Sequence, residues 1–355
     1  MIFPRKIPGT QYTPPANRPP IASSQYGAIK IYAGSASKEL GREIANCLEL
    51  PLSEQTVEKF TNENIFVQLQ SSVREQDVYF IQSHASPVSD NIIEQLITLD
   101  TFKRGSAGRI TAVIPYLAYA RTDKKDKPRV PITSRMLADI IQVAGAGRYI
   151  LLDLHAGQIQ GFFSVAGDVL TAFNLFVDYF AEKHLNNCVV VSADLGFAKS
   201  GRNYASKLDM PHAIIEKRRR DGKAEVMSLI GEVAGHDAII IDDECDTAGS
   251  LENAVKTVRD AGARDIYLAF THPVLSGPAI QRLSDMKVRE IVTTNTLPIP
   301  PEKRLPNMTI LSVGPFLAEV IRRTHEGKSV GELFGEWLWH GGFPFGEQTP
   351  TPQRI

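Results

Sequence analysis

The sequence predicts an α/β protein made of two domains, each built around a mostly parallel sheet. Short β-rich runs alternate with helical patterns along the chain, and this alternation predicts parallel strands joined by crossover helices. The predicted strands are too many for one ordinary open sheet, and 355 residues suffice for two domains. We therefore expect two domains that join near residues 150 to 165, with ligands bound beyond the carboxyl ends of the strands.

The elements follow from runs of apolar, β-branched and aromatic residues. The predicted strands are Ile29 to Ala33, Val78 to Gln82, Ile110 to Pro115, Tyr149 to Asp153, Val189 to Ser192, Ala213 to Ile215, Ala238 to Ile241, Ile266 to Thr271 and Glu290 to Thr293. Helical patterns such as Asp90 to Lys103 lie between them. Residues 1–27 are rich in proline and contain no acid, which predicts an extended tail. These prolines would also break the amphipathic helix of an organellar transit peptide.

The bulk composition excludes several classes of protein. Hydrophobic residues make up 43% of the chain and charged residues 22%, with a net charge of −1, so no global charge favours nucleic acid or a membrane surface. No apolar run approaches the roughly 20 residues that cross a bilayer. The three cysteines are odd in number and far apart. This predicts a reducing, cytoplasmic compartment without a disulfide framework or zinc cluster.

The segment from Ile239 to Ser250 carries the strongest functional signal. Its apolar strand ends in Asp242 and Asp243, and a helix is predicted to begin near Leu251. Backbone N–H groups at a helix start form an anion site, to which Thr247 and Ser250 add hydroxyls. The acids suit sugar hydroxyls and a divalent cation, so the segment predicts a sugar-phosphate site. The alternative is that the acids serve only as helix caps.

Further polar residues follow other predicted strands. Asp153 and His155 lie two apart after one strand, which is usable geometry for a divalent ion, although a lone His at a strand end is more often structural. Asp168 follows shortly, and Asp194 ends another strand. Two basic segments, residues 119–129 and 216–223, are candidate polyphosphate contacts, although each composition also fits a solvated surface loop. Together they predict Mg²⁺, a sugar phosphate and a second, more phosphorylated substrate.

These motifs, in this order and spacing, resemble the ribose-phosphate pyrophosphokinase (phosphoribosyl pyrophosphate synthetase) family from about Ile29 to Phe334. The segments that carry the resemblance are Lys59 to Asn64, Tyr119 to Lys124, Asp153 to Phe163, Ser192 to Gly196, Glu216 to Arg219 and Asp242 to Ser250. The resemblance implies two tandem phosphoribosyltransferase-like domains with mostly parallel sheets. It also implies Mg²⁺-dependent transfer of the diphosphoryl group of ATP to the 1-hydroxyl of ribose 5-phosphate, giving 5-phosphoribosyl 1-diphosphate and AMP.

The resemblance also implies a domain plan and an assembly. We expect an N-terminal tail over 1–27, an ATP-side domain over 28–165, a ribose 5-phosphate-side domain over 166–309 and a C-terminal tail over 335–355. The last helix, about 310–334, is expected to complete the first domain. Family members commonly form homo-oligomers, hexamers built from dimers, and respond to ADP or phosphate. No nucleic acid or membrane partner is expected.

Site residues carry over position by position from the resemblance. Those expected to act in catalysis are Lys217, Arg219 and Arg121. Those expected to contact ATP are Phe60, Asn62, Asn64, Arg121, Thr122, Asp123, Lys124 and His155. Those expected to bind ribose 5-phosphate are Arg219, Asp242, Asp243, Asp246, Thr247, Ala248, Gly249 and Ser250. His155, Asp194, Asp153 and Asp168 match metal positions.

The chain departs from the family pattern mainly around the nucleotide. Asn64 stands where an acid usually contacts the adenine amino group, and Thr122 replaces a glutamine. Ser164 replaces an aspartate in the metal segment, and Phe197 narrows the expected sugar pocket. Gly331 replaces a common serine in the regulatory region. These positions predict altered nucleotide selectivity and effector control.

Two other functions are compatible with the same motifs. A regulatory paralogue that co-assembles with an active synthetase would be expected to lose Lys217, Arg219, His155 or the acidic loop, and all remain. A phosphoribosyltransferase that uses the diphosphate product as its substrate needs only one such domain, whereas the Arg121 loop and the segment from Asp153 to His155 lie in a predicted first domain. The active synthetase is therefore the favoured hypothesis.

Overall fold

The computed structural model describes residues 21–22, 24–220 and 223–334, without the side chains of residues 217–220, 223–227 and 334. The first part contains β1 (Ile29–Ala33), α1 (Lys38–Leu48), β2 (Gln55–Lys59), β3 (Ile65–Leu69), β4 (Asp77–Ile81), α2 (Val88–Arg104), β5 (Arg109–Ile114), α3 (Thr133–Ala144), β6 (Arg148–Leu152) and β7 (Ala166–Leu170). The second contains α4 (Phe173–Glu182), β8 (Cys188–Ser192), α5 (Ala198–Leu208), β9 (His212–Arg220), β10 (Lys223–Ile230), β11 (Asp237–Cys245), α6 (Gly249–Asp260), β12 (Ile266–Pro273), α7 (Ala279–Asp285), β13 (Glu290–Thr294), β14 (Met308–Leu311) and α8 (Gly314–Glu326).

The first sheet is parallel throughout, with five strands in the order β1-β4-β5-β6-β7. All residues of β4 are buried, as expected for a strand with helices on both faces. Tyr79 and Ile81 pack in a core shared with α1 and α8, whereas Val78 and Phe80 pack in a core shared with α2 and α3. The alternation of side chains along the strand therefore supplies two apolar layers.

The second sheet has seven strands in the order β10-β9-β8-β11-β12-β13-β14. Its pairs are parallel except the antiparallel hairpin of β9 and β10. Ile239 and Ile241 of β11 join the core that also contains Tyr79 and Ile81 of the first sheet, whereas Ile240 packs under α6. One apolar layer is thus shared by the two sheets.

Some of the observed elements differ from the predictions. The strand predicted over Ala238 to Ile241 continues to Cys245, because its ladder with β12 extends past Asp242. The basic segment predicted as a loop continues β9 to Arg220 and pairs with β10. The antiparallel hairpin of β2 and β3 stands as a separate two-stranded sheet that was not predicted.

The chain passes between the sheets near the predicted domain boundary. The boundary after residue 165 falls one residue before β7, which pairs with β6 in the first sheet. Within the predicted terminal segment 310–334, β14 ends the second sheet, and α8 then packs against α1 through residues such as Leu317 and Ile321. Of the predicted tails 1–27 and 335–355, residues 1–20, 23 and 335–355 lie outside the described residues. None of the described helices combines the length and apolar character needed to cross a membrane.

Candidate active site

The carboxyl ends of β6 and β11 meet between the two sheets. His155 follows β6, and its Nδ1 lies 2.6 Å from Oδ2 of Asp243 in β11. This hydrogen bond, together with the charge of Asp243, raises the pKa of His155 despite its partial burial. Burial alone would raise the pKa of Asp243. The hydrogen bonds from His155 and Asp242 outweigh this effect and lower the pKa of Asp243 to about 2. The pair therefore holds an ionised carboxylate against an imidazole that gains a proton readily.

Asp242 and Asp243 are adjacent, but their pKa values shift in opposite directions. Burial and the charge of Asp243 raise the pKa of Asp242 well above its ordinary value. Oδ1 of Asp242 also accepts a hydrogen bond of 2.9 Å from the Asp243 backbone N–H. The two carboxyl groups therefore titrate as a pair, in which Asp243 carries the charge and Asp242 retains a proton more readily. One can act as an anionic ligand and the other as a hydrogen-bond donor to a hydroxyl.

Arg121 connects the irregular loop after β5 with the acidic end of β11. Its Nε pairs with Oε1 of Glu244, and its Nη1 lies 3.9 Å from Oδ2 of Asp246. The Arg121 side chain is 52% exposed, whereas that of Glu244 is only 5% exposed. A cation expected on the ATP side thus reaches the loop expected to hold the sugar phosphate.

The start of α6 has the features of an anion site. Ala248 is the N-cap residue, and no side chain makes a capping hydrogen bond there in the described contacts. The backbone of Ala248 is left-handed, with φ +62°. Arg282 supports the turn by donating a 3.0 Å hydrogen bond to the carbonyl of Thr247. The alternative that Asp242 and Asp243 cap this helix is wrong, because both lie within β11 and the first N–H groups of α6 keep their capacity for an anion.

The metal positions expected from the sequence are only partly brought together. The charge of Asp194 contributes to the raised pKa of Asp242, so it lies near that pair, and its Oδ1 accepts a 2.9 Å hydrogen bond from the Phe197 N–H. Asp153 Oδ2 accepts hydrogen bonds from Thr271 Oγ1 at 2.7 Å and from the Ala172 N–H at 3.0 Å. Its left-handed backbone, φ +38°, and these contacts indicate a structural junction between the sheets.

Asp168 lies apart from this group. It is in the middle of β7, and its carboxylate pairs with Arg148, the first residue of β6. His155 and Asp153, in contrast, follow the last residue of β6. The structure therefore does not bring Asp168 to the carboxyl end of the strands, and its role as a metal position stays a prediction.

The expected adenine contacts lie on the turn between β2 and β3. Phe60 is 49% exposed, and its ring lies 6.0 Å from that of Phe66. The turn is closed by a 2.9 Å hydrogen bond from the Phe60 N–H to the Asn64 carbonyl, and Asn62 Oδ1 accepts from the Asn64 N–H at 3.2 Å. An exposed aromatic ring on a short, hydrogen-bonded turn is suited to stacking against a base.

The other expected ATP contacts lie in the loop after β5. Thr122 donates a 2.7 Å hydrogen bond to the Tyr119 carbonyl, so its hydroxyl supports the loop. Asp123 is buried and accepts from Gln158, which places this loop against the segment after β6. Lys124 is exposed. Lys217 and Arg219 are in β9, but their side chains lie outside the described part of the chain.

Two residues at this junction were not predicted. Glu244 lies within the acidic segment, where its ion pair with Arg121 depends on a partner more than a hundred residues away in sequence. His272 in β12 faces the carbonyl of Asp153, with Nε2 at 3.0 Å, and Thr296 Oγ1 lies 3.1 Å from its Nδ1. Its position directly after the predicted strand Ile266 to Thr271 could have indicated that His272 lies at the carboxyl end of that strand.

A cavity of about 350 Å³ extends from Asp243 along the start of α5. Phe197, Ser200, Asn203 and Tyr204 line it at and after the start of α5. Its volume lies at the lower end of the range for small-molecule pockets. The junction between the sheets thus contains a partly open cavity as well as charged groups.

The donor set suits a magnesium ion that is completed by substrate. Within the described residues, no three His, Cys, Asp or Glu side chains form a group that would hold a metal ion by themselves. Mg²⁺ is usually held by one or two carboxylates together with phosphate oxygens and water. Asp243 supplies an ionised carboxylate, and its bond to His155 Nδ1 is the kind of contact that orients a metal-binding histidine. These residues therefore fit the ion.

Two α/β domains whose strand ends meet beside an uncapped helix start define a phosphoribosyltransferase-like enzyme. Residues 29–145 match the family model of the N-terminal domain of ribose phosphate pyrophosphokinase, and residues 223–335 match that of the phosphoribosyl synthetase-associated domain. The chain belongs to the ribose-phosphate pyrophosphokinase family, as the sequence predicts.

Named relatives match over nearly their whole length. The ribose-phosphate pyrophosphokinase of Caldanaerobacter subterraneus is 47% identical over 309 residues, which cover 86% of this chain and 98% of the relative. That of Bacillus subtilis is 44% identical over 315 residues, covering 88% and 99%. The crystal structure of phosphoribosylpyrophosphate synthetase from Mycobacterium smegmatis superposes with a TM-score of 0.81 at 42% identity, covering 84% of this chain and 99% of that one. The predicted two-domain fold is thus confirmed.

Proposed function

We propose that this protein transfers the diphosphoryl group of ATP to the 1-hydroxyl of ribose 5-phosphate, giving 5-phosphoribosyl 1-diphosphate and AMP. The observation that carries the proposal is the junction of the two domains, where Arg121 reaches Glu244 and His155 reaches Asp243 beside the start of α6. The names of the close relatives support the same reaction and give no support to a non-catalytic regulatory paralogue. The match across both domains also disfavours a single-domain phosphoribosyltransferase.

The phosphate of ribose 5-phosphate is assigned to the start of α6. The N–H groups that follow the left-handed Ala248, with the hydroxyls of Thr247 and Ser250, supply donors for it. The sugar hydroxyls then lie toward Asp242 and Asp243, whose unlike pKa values suit one hydrogen-bond donor and one acceptor. The cavity beside Asp243 offers space on this side, and Phe197 in its wall supports a narrowed sugar pocket.

ATP is assigned to the first domain. Adenine stacks on the exposed ring of Phe60, beside Asn62 and Asn64, and the phosphates meet the loop that carries Arg121, Thr122, Asp123 and Lys124. Because Asn64 has an amide in place of a carboxylate, discrimination between adenine and guanine is expected to be weak at this position. A binding comparison of ATP with GTP measures it directly.

Charge neutralisation is assigned to cations from both domains. Asp243 and His155, with Asp194 near them, would hold Mg²⁺ together with substrate, and the ion would supply positive charge for the transferred group. Lys217 and Arg219 are proposed to add two cations from β9, and Arg121 adds a third from the first domain. The 1-hydroxyl oxygen attacks the β-phosphorus of ATP and releases its proton to water, the bond from the β-phosphorus to the α–β bridging oxygen breaks, and AMP leaves with that oxygen. Alignment and neutralisation of charge are the main demands of such a transfer.

We also propose an oligomeric assembly, a small-molecule effector and a cellular compartment for this protein. A homo-oligomer, a hexamer built from dimers, is part of the proposal, and the exposed apolar side chains on α2 and α3 are available for contacts between copies, with Ile93 48%, Met136 54% and Val143 75% exposed. ADP or phosphate is proposed as an effector. A reducing, cytoplasmic compartment is consistent with the buried thiols of Cys188 and Cys245, whose burial raises the pKa of each to about 12.

The test is AMP formation from ATP and Mg²⁺ with ribose 5-phosphate, with unphosphorylated ribose as the matched control. Two charge-assisted hydrogen bonds to the 5-phosphate are worth about 3 kcal/mol, which corresponds to roughly a 100-fold lower kcat/KM for ribose. AMP formation that is independent of the sugar, across several phosphate concentrations and nucleotides, would contradict the proposal. Equal kcat/KM values for ribose and ribose 5-phosphate would contradict the assignment of the phosphate to the start of α6.

A further inference from the structure

Glu244 is a buried acid at the junction of the two domains. It lies in β11, in register with His272 of β12, and only 6% of its surface is exposed. Burial raises the pKa of its carboxyl group, and the charge of Arg121 opposes that rise. A buried carboxylate in a central strand has little freedom to move, so it fixes the position of the cation that pairs with it.

Arg121, in contrast, is on a segment without regular secondary structure between β5 and α3. Its half-exposed side chain would sample many rotamers without a fixed partner. The ion pair to Glu244 uses Nε, which is on the side of the planar guanidinium. This ion pair keeps the guanidinium beside the buried carboxylate. Nη1 is already 3.9 Å from Asp246 in the sugar-phosphate loop.

We propose that Glu244 is a positioning residue that holds the Arg121 guanidinium at the junction of the two domains, beside the proposed site of the transferred phosphates. The proposal rests on the proposed function and adds a residue outside the set expected from the family resemblance. Glu244 belongs to the second domain and Arg121 to the first, so their pairing aligns the ATP-side cation with the domain that binds the sugar. It acts through Arg121 and touches neither substrate.

If Glu244 had the opposite role, its substitution would change ATP affinity in the opposite direction. If Glu244 competed with phosphate for Arg121, its removal would free the cation and strengthen ATP binding. Positioning is favoured because the Glu244 carboxylate is buried in β11, and because Arg121 beside it also lies near Asp246, with 3.9 Å between Nη1 and Oδ2. Loss of positioning is expected to cost about 10- to 100-fold in turnover, by analogy with small misplacements of catalytic groups.

The experiment compares Glu244→Gln and Glu244→Leu, each alone and with Arg121→Lys, in the full-length protein. Glu290→Gln is the matched control, because Glu290 in β13 pairs with Lys183 at 2.8 Å and is also largely buried. Three quantities are measured: ATP affinity by calorimetry without sugar, kcat and KM for ribose 5-phosphate, and the thermal midpoint. Glu290→Gln is expected to keep wild-type kcat and ATP affinity.

We expect Glu244→Leu to lower kcat at least tenfold and weaken ATP binding at least threefold, with KM for ribose 5-phosphate within threefold of wild type. Glu244→Gln keeps the shape and a polar oxygen of the side chain but loses its charge, and is expected to fall between the wild type and Glu244→Leu. In the Arg121→Lys background the Glu244 substitutions are expected to have no further effect.

Three results would each overturn the proposal. Glu244→Leu could bind ATP more tightly than the wild type, or keep a kcat within twofold of it. The third is a double variant with Arg121→Lys in which the fold-loss of kcat equals the product of those of the two single variants. Failure of the proposed function is separate, because it appears as absent turnover in the wild type. In that case, the ATP affinities of the same variants still decide the role of Glu244.

Discussion

Replacing Asp77 with asparagine tests the network that fastens α8 to the first sheet. Asp77 is fully buried at the start of β4, where it accepts hydrogen bonds from Arg109 Nε at 2.8 Å and from the Tyr79 hydroxyl at 3.1 Å. His325 of α8 lies 2.7 Å from its Oδ2. Asparagine keeps the volume of the side chain but removes its charge, which leaves Arg109 without an ionic partner.

The expected loss of stability follows from burial. Removing one partner of a buried ion pair costs about 3 to 5 kcal/mol. Arg109 is 16% exposed, and its guanidinium also lies 4.3 Å from the centre of the Tyr26 ring, so the lower end of that range applies. With roughly 2 to 4 °C per kcal/mol for a domain of this size, about 3 kcal/mol lowers the thermal midpoint by about 6 to 12 °C.

Calorimetry at neutral pH measures this midpoint, with Asp100→Asn as the control. Asp100 pairs with Arg104 one turn away on α2, and their side chains are 43% and 79% exposed, so solvent screens the pair and it contributes little to stability. Equal, small shifts for the two variants would refute the assignment of a stabilising role to the buried network.

The same network predicts a pH dependence. Burial alone would raise the pKa of Asp77, but the hydrogen bonds from His325 and Arg109 outweigh it and lower the pKa below its ordinary value. A lowered native pKa means that the stabilisation is complete above the unfolded value, about 3.9, and is lost as pH falls through the native one. The difference between wild type and Asp77→Asn is therefore expected to stay constant near neutral pH and shrink below about pH 4.

Three further predictions concern the candidate active site. Lys217→Ala is expected to lower turnover by roughly 10³ while ATP binding, measured by calorimetry, changes little, and near-normal turnover would remove Lys217 from the mechanism. Ala248→Val places a β-branched residue at φ +62° and is expected to cost about 1 to 2 kcal/mol and raise KM for ribose 5-phosphate, whereas an unchanged KM would argue against this turn as the phosphate site. Asp243→Asn is expected to lower the raised pKa of His155 toward its ordinary value in an NMR titration, because the hydrogen bond and charge of Asp243 raise it, and an unchanged titration would contradict their pairing.

The sequence predicts the central strands well because they are buried on both faces. The strand expected over Val189 to Ser192, for example, is observed as Cys188–Ser192, and all five residues are buried. The β2–β3 hairpin was missed because its strands are only partly buried and contain polar residues. The sequence of β7, Ala-Gly-Asp-Val-Leu, carries little β-propensity, and its pairing with β6 determines its structure.

The chemistry of the site was predictable in part. The order of Asp242, Asp243 and the small residues before α6 predicts an anion site next to acids, and the uncapped helix start agrees with it. The opposite pKa shifts of the two acids depend on burial and on His155, which is 88 positions away along the chain. The ion pair of Glu244 with Arg121 likewise forms only because the two sheets lie next to each other. No local pattern contains that information.

³¹P NMR of a reaction containing the protein, ATP, Mg²⁺ and ribose 5-phosphate tests most directly whether ATP gives up a diphosphate to the sugar. We expect AMP and a sugar product in equal amounts, with the β- and γ-phosphorus atoms of ATP transferred together as a diphosphate on the 1-oxygen. Formation of ADP with a single transferred phosphoryl group, or the absence of any sugar-dependent AMP signal, would contradict it.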